Sequence, residues 1–99
     1  MATRKENRIV ILHPKDNVGV AVKDLKAGEK IQDPELCQDI VVVSDIPFGF
    51  KIALENIPKS NLVIKYGETI GKAKCDIGIG ELVHIDNMES LRGRGDFFS

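Results

Sequence analysis

The stretch Ile46-Pro47-Phe48-Gly49-Phe50-Lys51-Ile52 places one glycine three residues from an isoleucine on either side. The spacing recurs as Leu25-Gly28-Ile31, Ile64-Gly67-Ile70 and Ile77-Gly80-Val83, and Ile57-Ser60-Val63 repeats it with serine for glycine. It reads as a strand end, a tight turn and a return strand. Glycine supplies the positive φ of a sharp turn, and the flanking aliphatics drop into a core. The intervals between copies are irregular, which argues against a solenoid. A chain that reverses this often makes many non-local contacts and is expected to fold slowly for its size.

The segments between these turns carry strand signals. Arg8 to His13 and Asn17 to Val22 are short β-branched runs, with Pro14-Lys15-Asp16 between them as a turn. Asp39 to Ser44 contains Ile-Val-Val-Val, the composition of a strand buried on both faces. Leu62 to Tyr66, Lys72 to Asp76 and Glu81 to Asp86 complete the set. Helix is scarce: Asp33-Pro34-Glu35-Leu36-Cys37 suits one turn, with Asp33 as N-cap and Pro34 at the first helical position. The expected class is mostly β, as a small barrel or a folded hairpin assembly of short strands and tight turns.

Ninety-nine residues make one domain with one modest core. Fourteen Lys and Arg against fifteen Asp and Glu give a net charge of −1, which argues against a general nucleic-acid binder. Aliphatic runs stop at four residues, Ile9 to Leu12 and Ile40 to Val43, whereas a membrane-spanning helix needs about 20. The first eight residues are charged and hold no apolar stretch of signal-peptide length, so the expected location is cytoplasmic. Cys37 and Cys75, without C-x-x-C spacing, are expected as free thiols. Charge is segregated. Glu29 to Gly49 carries five acids and one lysine, a net −4, and Lys51 to Lys74 carries five lysines and two acids, a net +3. The second stretch suits an anionic small ligand or an acidic partner.

The sequence divides into an N-terminal segment 1–8, a β domain 9–87 and a tail 88–99 without strand pattern. Phe97 and Phe98 are half of the phenylalanines and suit docking on another subunit, in a homo-oligomer or with a second chain. Arg94-Gly95-Asp96 reads as a chance triplet.

Two constellations carry chemistry. His13-Pro14-Lys15-Asp16-Asn17 and His84-Ile85-Asp86-Asn87 each place an imidazole, a carboxylate and a carboxamide near a strand end. These groups suit proton transfer or a divalent cation, and equally suit turn stabilisation, since Asp and Asn bond to nearby backbone. Strand alternation puts His84 and Asp86 on one face. Lys65-Tyr66-Gly67, in the basic stretch, offers a carboxylate partner, a phenol donor and an open backbone. Phosphate loops, HExxH, GxSxG and paired CxxC motifs are absent from the sequence.

The string His13-Pro14-x-Asp16-Asn17-Val18-Gly19-Val20-Ala21, followed by Ile46-Pro47-x-Gly49-x-Lys51-Ile52-Ala53-Leu54, resembles the SAF domain of the altronate/galactarate dehydratase family. Val63-Ile64-Lys65-Tyr66-Gly67-x-x-Ile70-Gly71-x-Ala73 and Leu82-Val83-His84-Ile85-x-Asn87 extend the resemblance, as does the ending Glu89 to Asp96. It covers about residues 9 to 96 and implies a β-clip fold, a long hairpin folded on itself. It also implies a hydro-lyase that removes water from a linear sugar acid such as altronate or galactarate, giving a 2-keto-3-deoxy acid. In single-chain relatives a much larger domain follows, so the resemblance implies a small subunit, inactive alone, with a large dehydratase subunit as partner. The complete complex is expected to use a divalent metal of iron or manganese type. The small chain of sulfolactate sulfo-lyase, which expels sulfite from a hydroxy acid, resembles the same design. Phe50 stands where relatives often have histidine, and Asp86 where many have a second histidine, so which residues of this chain would bind metal stays open.

Dehydration needs a base for the proton beside the carboxylate, a cation for the enediolate and an acid for the departing hydroxyl. His13 and His84 are the expected base and acid, in either order. Lys51 and Lys65 are expected to hold the substrate carboxylate, with Asp16, Asn17, Tyr66 and Asn87 as further substrate contacts. Rival expectations are sulfite elimination and a SAF module that binds or assembles without catalysis.

Overall fold

The computed structural model describes residues 8–36 and 38–91. Nine short strands form three antiparallel sheets, and the described residues contain no helix. A four-stranded sheet runs in the order β1 (Ile9–Val10), β2 (Val18–Ala21), β5 (Lys51–Ala53), β8 (Leu82–Val83). A hairpin pairs β3 (Lys30–Ile31) with β4 (Ile40–Val41), and a third sheet runs β6 (Leu62–Lys65), β7 (Glu68–Ala73), β9 (Met88–Ser90). The mostly-β expectation holds.

The glycine turns organise the fold through one recurring unit. Glu29, Phe50, Asn61 and Glu81 each donate a backbone N–H to the carbonyl three residues earlier. The residue before each of them has positive φ: Gly28 at 95°, Gly49 at 90°, Ser60 at 76° and Gly80 at 89°. That is the requirement of the third position of a type II turn. Each turn then clasps one buried residue. Gly49 N donates to Ala21 O while Phe50 O accepts from Ala21 N, and the same exchange joins Gly80 and Glu81 to Ala53, Ser60 and Asn61 to Ala73, and Gly28 and Glu29 to Val42.

The turns also pair. Leu25 and Ile46 exchange two backbone hydrogen bonds, as do Ile57 and Ile77. The residue before each of these aliphatics is Asp or Asn, and its side chain closes the partner turn. Asp24 Oδ1 accepts from Phe48 N at 2.8 Å and Asp45 Oδ1 from Ala27 N at 2.9 Å. Asn56 Oδ1 accepts from Ile79 N and Asp76 Oδ1 from Lys59 N, both at 2.9 Å. The chain is therefore an internal duplication: Ala21, Asp24, Leu25 and Gly28 recur as Ala53, Asn56, Ile57 and Ser60, and Val42, Asp45, Ile46 and Gly49 as Ala73, Asp76, Ile77 and Gly80. The irregular intervals in sequence are two alternating loop lengths within each half.

Each half has its own core. Leu25, Ile31, Val42, Ile46 and Ile52 lie in one cluster, and their counterparts Ile57, Val63, Ala73, Ile77 and Val83 lie in the other. The four-stranded sheet separates the two, since strand alternation sends Ile52 to the first and Ala53 to the second. The acidic stretch belongs to the first half and the lysine-rich stretch to the second.

Three expectations are corrected. Ile40 and Val42 are 1% exposed, but Val41 and Val43 are 54% exposed, so this run is buried on one face only. Segment 33–36 forms one turn, with Asp33 Oδ1 capping Glu35 N at 2.9 Å. Met88–Ser90, read as tail, is a strand on β7. Met88 is its apolar anchor, and Gly71 makes room for it: a Cβ there would lie 2.7 Å from Met88 Cγ. A three-residue edge strand with one buried side chain shows no alternation to read. Cys75 is a free, exposed thiol, while Cys37, residues 1–7 and the tail motifs beyond Leu91 lie outside the described residues. No helix among the described residues is long and apolar enough to cross a membrane.

Candidate functional site

The two histidine turns are built alike. In the first, Asp16 N donates to His13 O at 3.0 Å, and Lys15 N donates to His13 Nδ1 at 3.1 Å. Asp16 and Asn17 then tie this turn to the β6–β7 hairpin. Asp16 Oδ1 accepts from Gly67 N at 2.8 Å. The Asn17 side chain accepts from Ile64 N at 2.8 Å and donates to Leu62 O at 2.9 Å. Asp16 is 9% exposed, and its Oδ2 is buried without a hydrogen-bond partner among the described residues.

In the second turn, Asn87 N donates to His84 O at 3.0 Å, the Asn87 Oδ1 accepts from His84 N at 3.0 Å, and Asn87 Nδ2 donates to Leu82 O at 2.7 Å. The strand expected over Glu81 to Asp86 ends at Val83, because the chain curls here. His84 and Asp86 still meet, through the turn rather than through strand alternation, with His84 Nε2 3.4 Å from Asp86 Oδ2. The Phe50 ring meets the His84 ring edge-on, centroids 6.0 Å apart at 83°. Both asparagines thus have their amide groups engaged by backbone and hold the histidine turns in place. The expectation had put Asn17, Asn87 and Asp16 on the substrate; their geometry is that of positioning groups.

The hairpin tip lies between these parts. Tyr66 and Gly67 have φ of 61° and 72° and close β6 on β7 as a two-residue loop. Positive φ is costly for a tyrosine, and the bond from Gly67 N to Asp16 holds the tip in that shape. A Cβ on Gly67 would stand 2.9 Å from the His13 ring, so the imidazole rests on the bare glycine backbone. Tyr66 is 63% exposed, and Lys65 Nζ lies 5.4 Å from the centre of its ring.

Lys51 stands opposite Val20 on one side and Val83 on the other, so its stem is half-buried. Burial and then the charge of Lys65 lower its pKa from the ordinary 10.5. Two ammonium groups that repel each other in a partly desolvated place favour an anion between them. The other face of the His13 turn borders a pocket of about 390 Å³ lined by Ile11, Leu12, His13, Pro14 and Glu35.

The structure thus brings His13 to Gly67, Lys65 to Lys51, and Phe50 to His84. Sequence reading missed the Phe50–His84 and His13–Gly67 contacts, for which local sequence carries no signal. A divalent cation of the expected type takes six or so donors. No three of His, Cys, Asp and Glu converge among the described residues, so these residues do not form a metal centre by themselves.

Comparison with known proteins agrees with this geometry. Residues 7–91 match the family model described as the altronate/galactarate dehydratase SAF domain. Altronate dehydratase of Bacillus subtilis is 39% identical over 79 residues, which are 80% of this chain and 16% of that protein. Altronate dehydratase of Escherichia coli is 41% identical over 76 residues, 77% of this chain and 15% of that protein. The chain therefore spans about one sixth of the length of these dehydratases. The alpha subunit of (2R)-sulfolactate sulfo-lyase from Chromohalobacter salexigens is 32% identical over 88 residues, 83% of this chain and 94% of that subunit. With its clasped type II turns, its duplicated core and its two histidine turns, this chain belongs to the altronate/galactarate dehydratase SAF-domain family.

Proposed function

We propose that this chain is the small subunit of a two-chain lyase that dehydrates a linear sugar acid to a 2-keto-3-deoxy acid. The carrying observation is the pair of matches: 39% identity to a region of an altronate dehydratase, and near end-to-end likeness to a free-standing lyase subunit. A domain of this kind works both inside a long chain and as a separate one, so a large dehydratase chain is the natural partner. The geometry supports an anionic substrate. Lys51 and Lys65 receive its carboxylate, Tyr66 extends from the hairpin tip as a donor, and His13 and His84 approach from the turns on either side. The shallow setting of these groups suits a site completed by another surface, where a divalent metal of iron or manganese type would also draw donors from the partner.

The second reading is sulfite elimination, favoured by the 94% coverage of the sulfo-lyase subunit. Both chemistries begin with proton loss beside a carboxylate and differ in the leaving group. Purified chain is combined with a candidate large chain and divalent metal, then assayed for 2-keto-3-deoxy acid from altronate and galactarate, and for sulfite from sulfolactate. Keto acid formed only by the combination supports dehydration, and sulfite supports the second reading. Turnover by the small chain alone sinks the division of labour, and activity unchanged in a His13→Ala, His84→Ala double variant points to a non-catalytic module.

A further inference from the structure

His13 and His84 are both imidazoles on Asp/Asn-bearing turns, but their ring nitrogens are held differently. A backbone N–H can only donate, so the 3.1 Å bond from Lys15 N requires a lone pair on His13 Nδ1. In the neutral ring the proton then sits on Nε2. A second proton on Nδ1 would turn that acceptor into a donor and break the bond. The ring cannot rotate freely to escape this, since it rests on Gly67, whose N–H is fixed by Asp16. A carboxylate can only accept, so His84 Nε2, 3.4 Å from Asp86 Oδ2, carries the proton, and its lone pair sits on Nδ1. When Nδ1 gains a proton, the resulting imidazolium already faces a carboxylate.

We infer that His13 acts as a neutral hydrogen-bond donor through Nε2–H, and that proton transfer falls to the His84–Asp86 pair. The inference rests on the lyase reading and divides the labour within it. His84 Nδ1 takes the proton from the carbon beside the substrate carboxylate. The C–H electron pair forms the new C=C bond, and the C–O bond to the neighbouring hydroxyl breaks with its electrons on oxygen. The proton returns from His84 to that oxygen, which leaves as water, and the enol product tautomerises to the 2-keto acid. His13 Nε2–H donates to the carboxylate oxygen that gains charge as the enediolate forms. A neutral imidazole in this role is an electrophile that gives no proton away. Asp16 and Gly67 are positioning residues for it, and Phe50 for His84.

The test has two arms. Ring-nitrogen NMR of the full chain labelled with ¹⁵N-histidine at neutral pH is expected to show His13 protonated on Nε2 alone; a proton on Nδ1 overturns the inference. In the two-chain complex, His13→Ala is expected to lower kcat by about 10²–10³-fold, the scale for one lost donor at an oxyanion. His13→Gln, which keeps an amide donor, recovers at least part of that loss, and both variants keep the acidic limb of the pH–rate profile. His84→Gln removes that limb and costs about 10²–10⁴-fold, the scale of general acid–base catalysis. A limb lost with His13→Gln and kept with His84→Gln overturns the inference. If no form of the complex turns over sugar acids or sulfolactate, the lyase reading falls, while the NMR arm still decides the tautomer.

Discussion

His13 rests on Gly67, at a separation where even a methyl group on the glycine would stand 2.9 Å from the imidazole ring. Gly67 also has φ of 72°. Gly67→Ala therefore meets a clash and a left-handed backbone together. The backbone term alone is about 1–2 kcal/mol, and the expected total loss in urea denaturation exceeds it. The same change should shift the His13 ring resonances more than those of His84; equal shifts would contradict this contact.

Asn17 bridges two strands with a side chain that both accepts and donates. Asn17→Ala leaves Ile64 N and Leu62 O without these partners in a part-buried place, at a cost of about 2–4 kcal/mol for two such groups. Asp16→Asn keeps an oxygen for Gly67 N and removes a buried charge, so it should cost less than about 1 kcal/mol. If Asn17→Ala proved as mild as Asp16→Asn, the bridging role would be lost.

The four clasped turns should respond unequally to substitution. Ser60 holds φ of 76° where its counterparts are glycines, so Ser60→Gly is expected to stabilise the fold by about 0.5–1 kcal/mol. A Cβ at Gly28 or Gly49 would meet nothing within 4 Å, so alanine there costs only the backbone term, about 1–2 kcal/mol. A Cβ at Gly80 would run into the Val41 carbonyl, so Gly80→Ala should be far worse. Thermal melts of the four variants check the order, and a Gly80→Ala chain as stable as Gly28→Ala would refute the packing.

Lys51 makes stability depend on alkaline pH. Its folded pKa lies below the ordinary 10.5 because burial, and then Lys65, disfavour its charge. Below the folded pKa it is charged in both states, and its destabilising effect is complete. Between the folded value and 10.5 the unfolded chain binds more protons, so stability rises with pH. Lys51→Met keeps the buried stem, should stabilise the chain at neutral pH, and should flatten that rise in denaturation curves taken across the alkaline range. In the complex the same variant is expected to raise KM for the anionic substrate; an unchanged KM would remove Lys51 from the carboxylate site.

The turns were legible because each is a decision over four or five residues. A glycine at the third position and an aliphatic three residues before it specify a type II turn whatever the rest of the chain does. One more signal was there to read: Asp24, Asp45, Asn56 and Asp76 precede the aliphatics of the paired turns, while Val63 precedes Ile64, and Ile64 begins the hairpin instead. Val41 and Val43 were misread because β-branched composition marks a strand without saying how many of its faces are covered.

The site was legible only as a set of residue types. Sequence by itself determined the mostly-β class, the places where the chain reverses, and the two His turns, since these follow from local backbone preference and side chains bonding to neighbouring backbone. Only the tertiary structure decided that His13 lies on Gly67, that Lys51 feels Lys65 and that Phe50 meets His84. The Asp16–Gly67 hydrogen bond joins residues 51 positions apart. Such contacts depend on strand register and on the doubling of one half over the other, and register is set by the packing of both cores together rather than by any one segment.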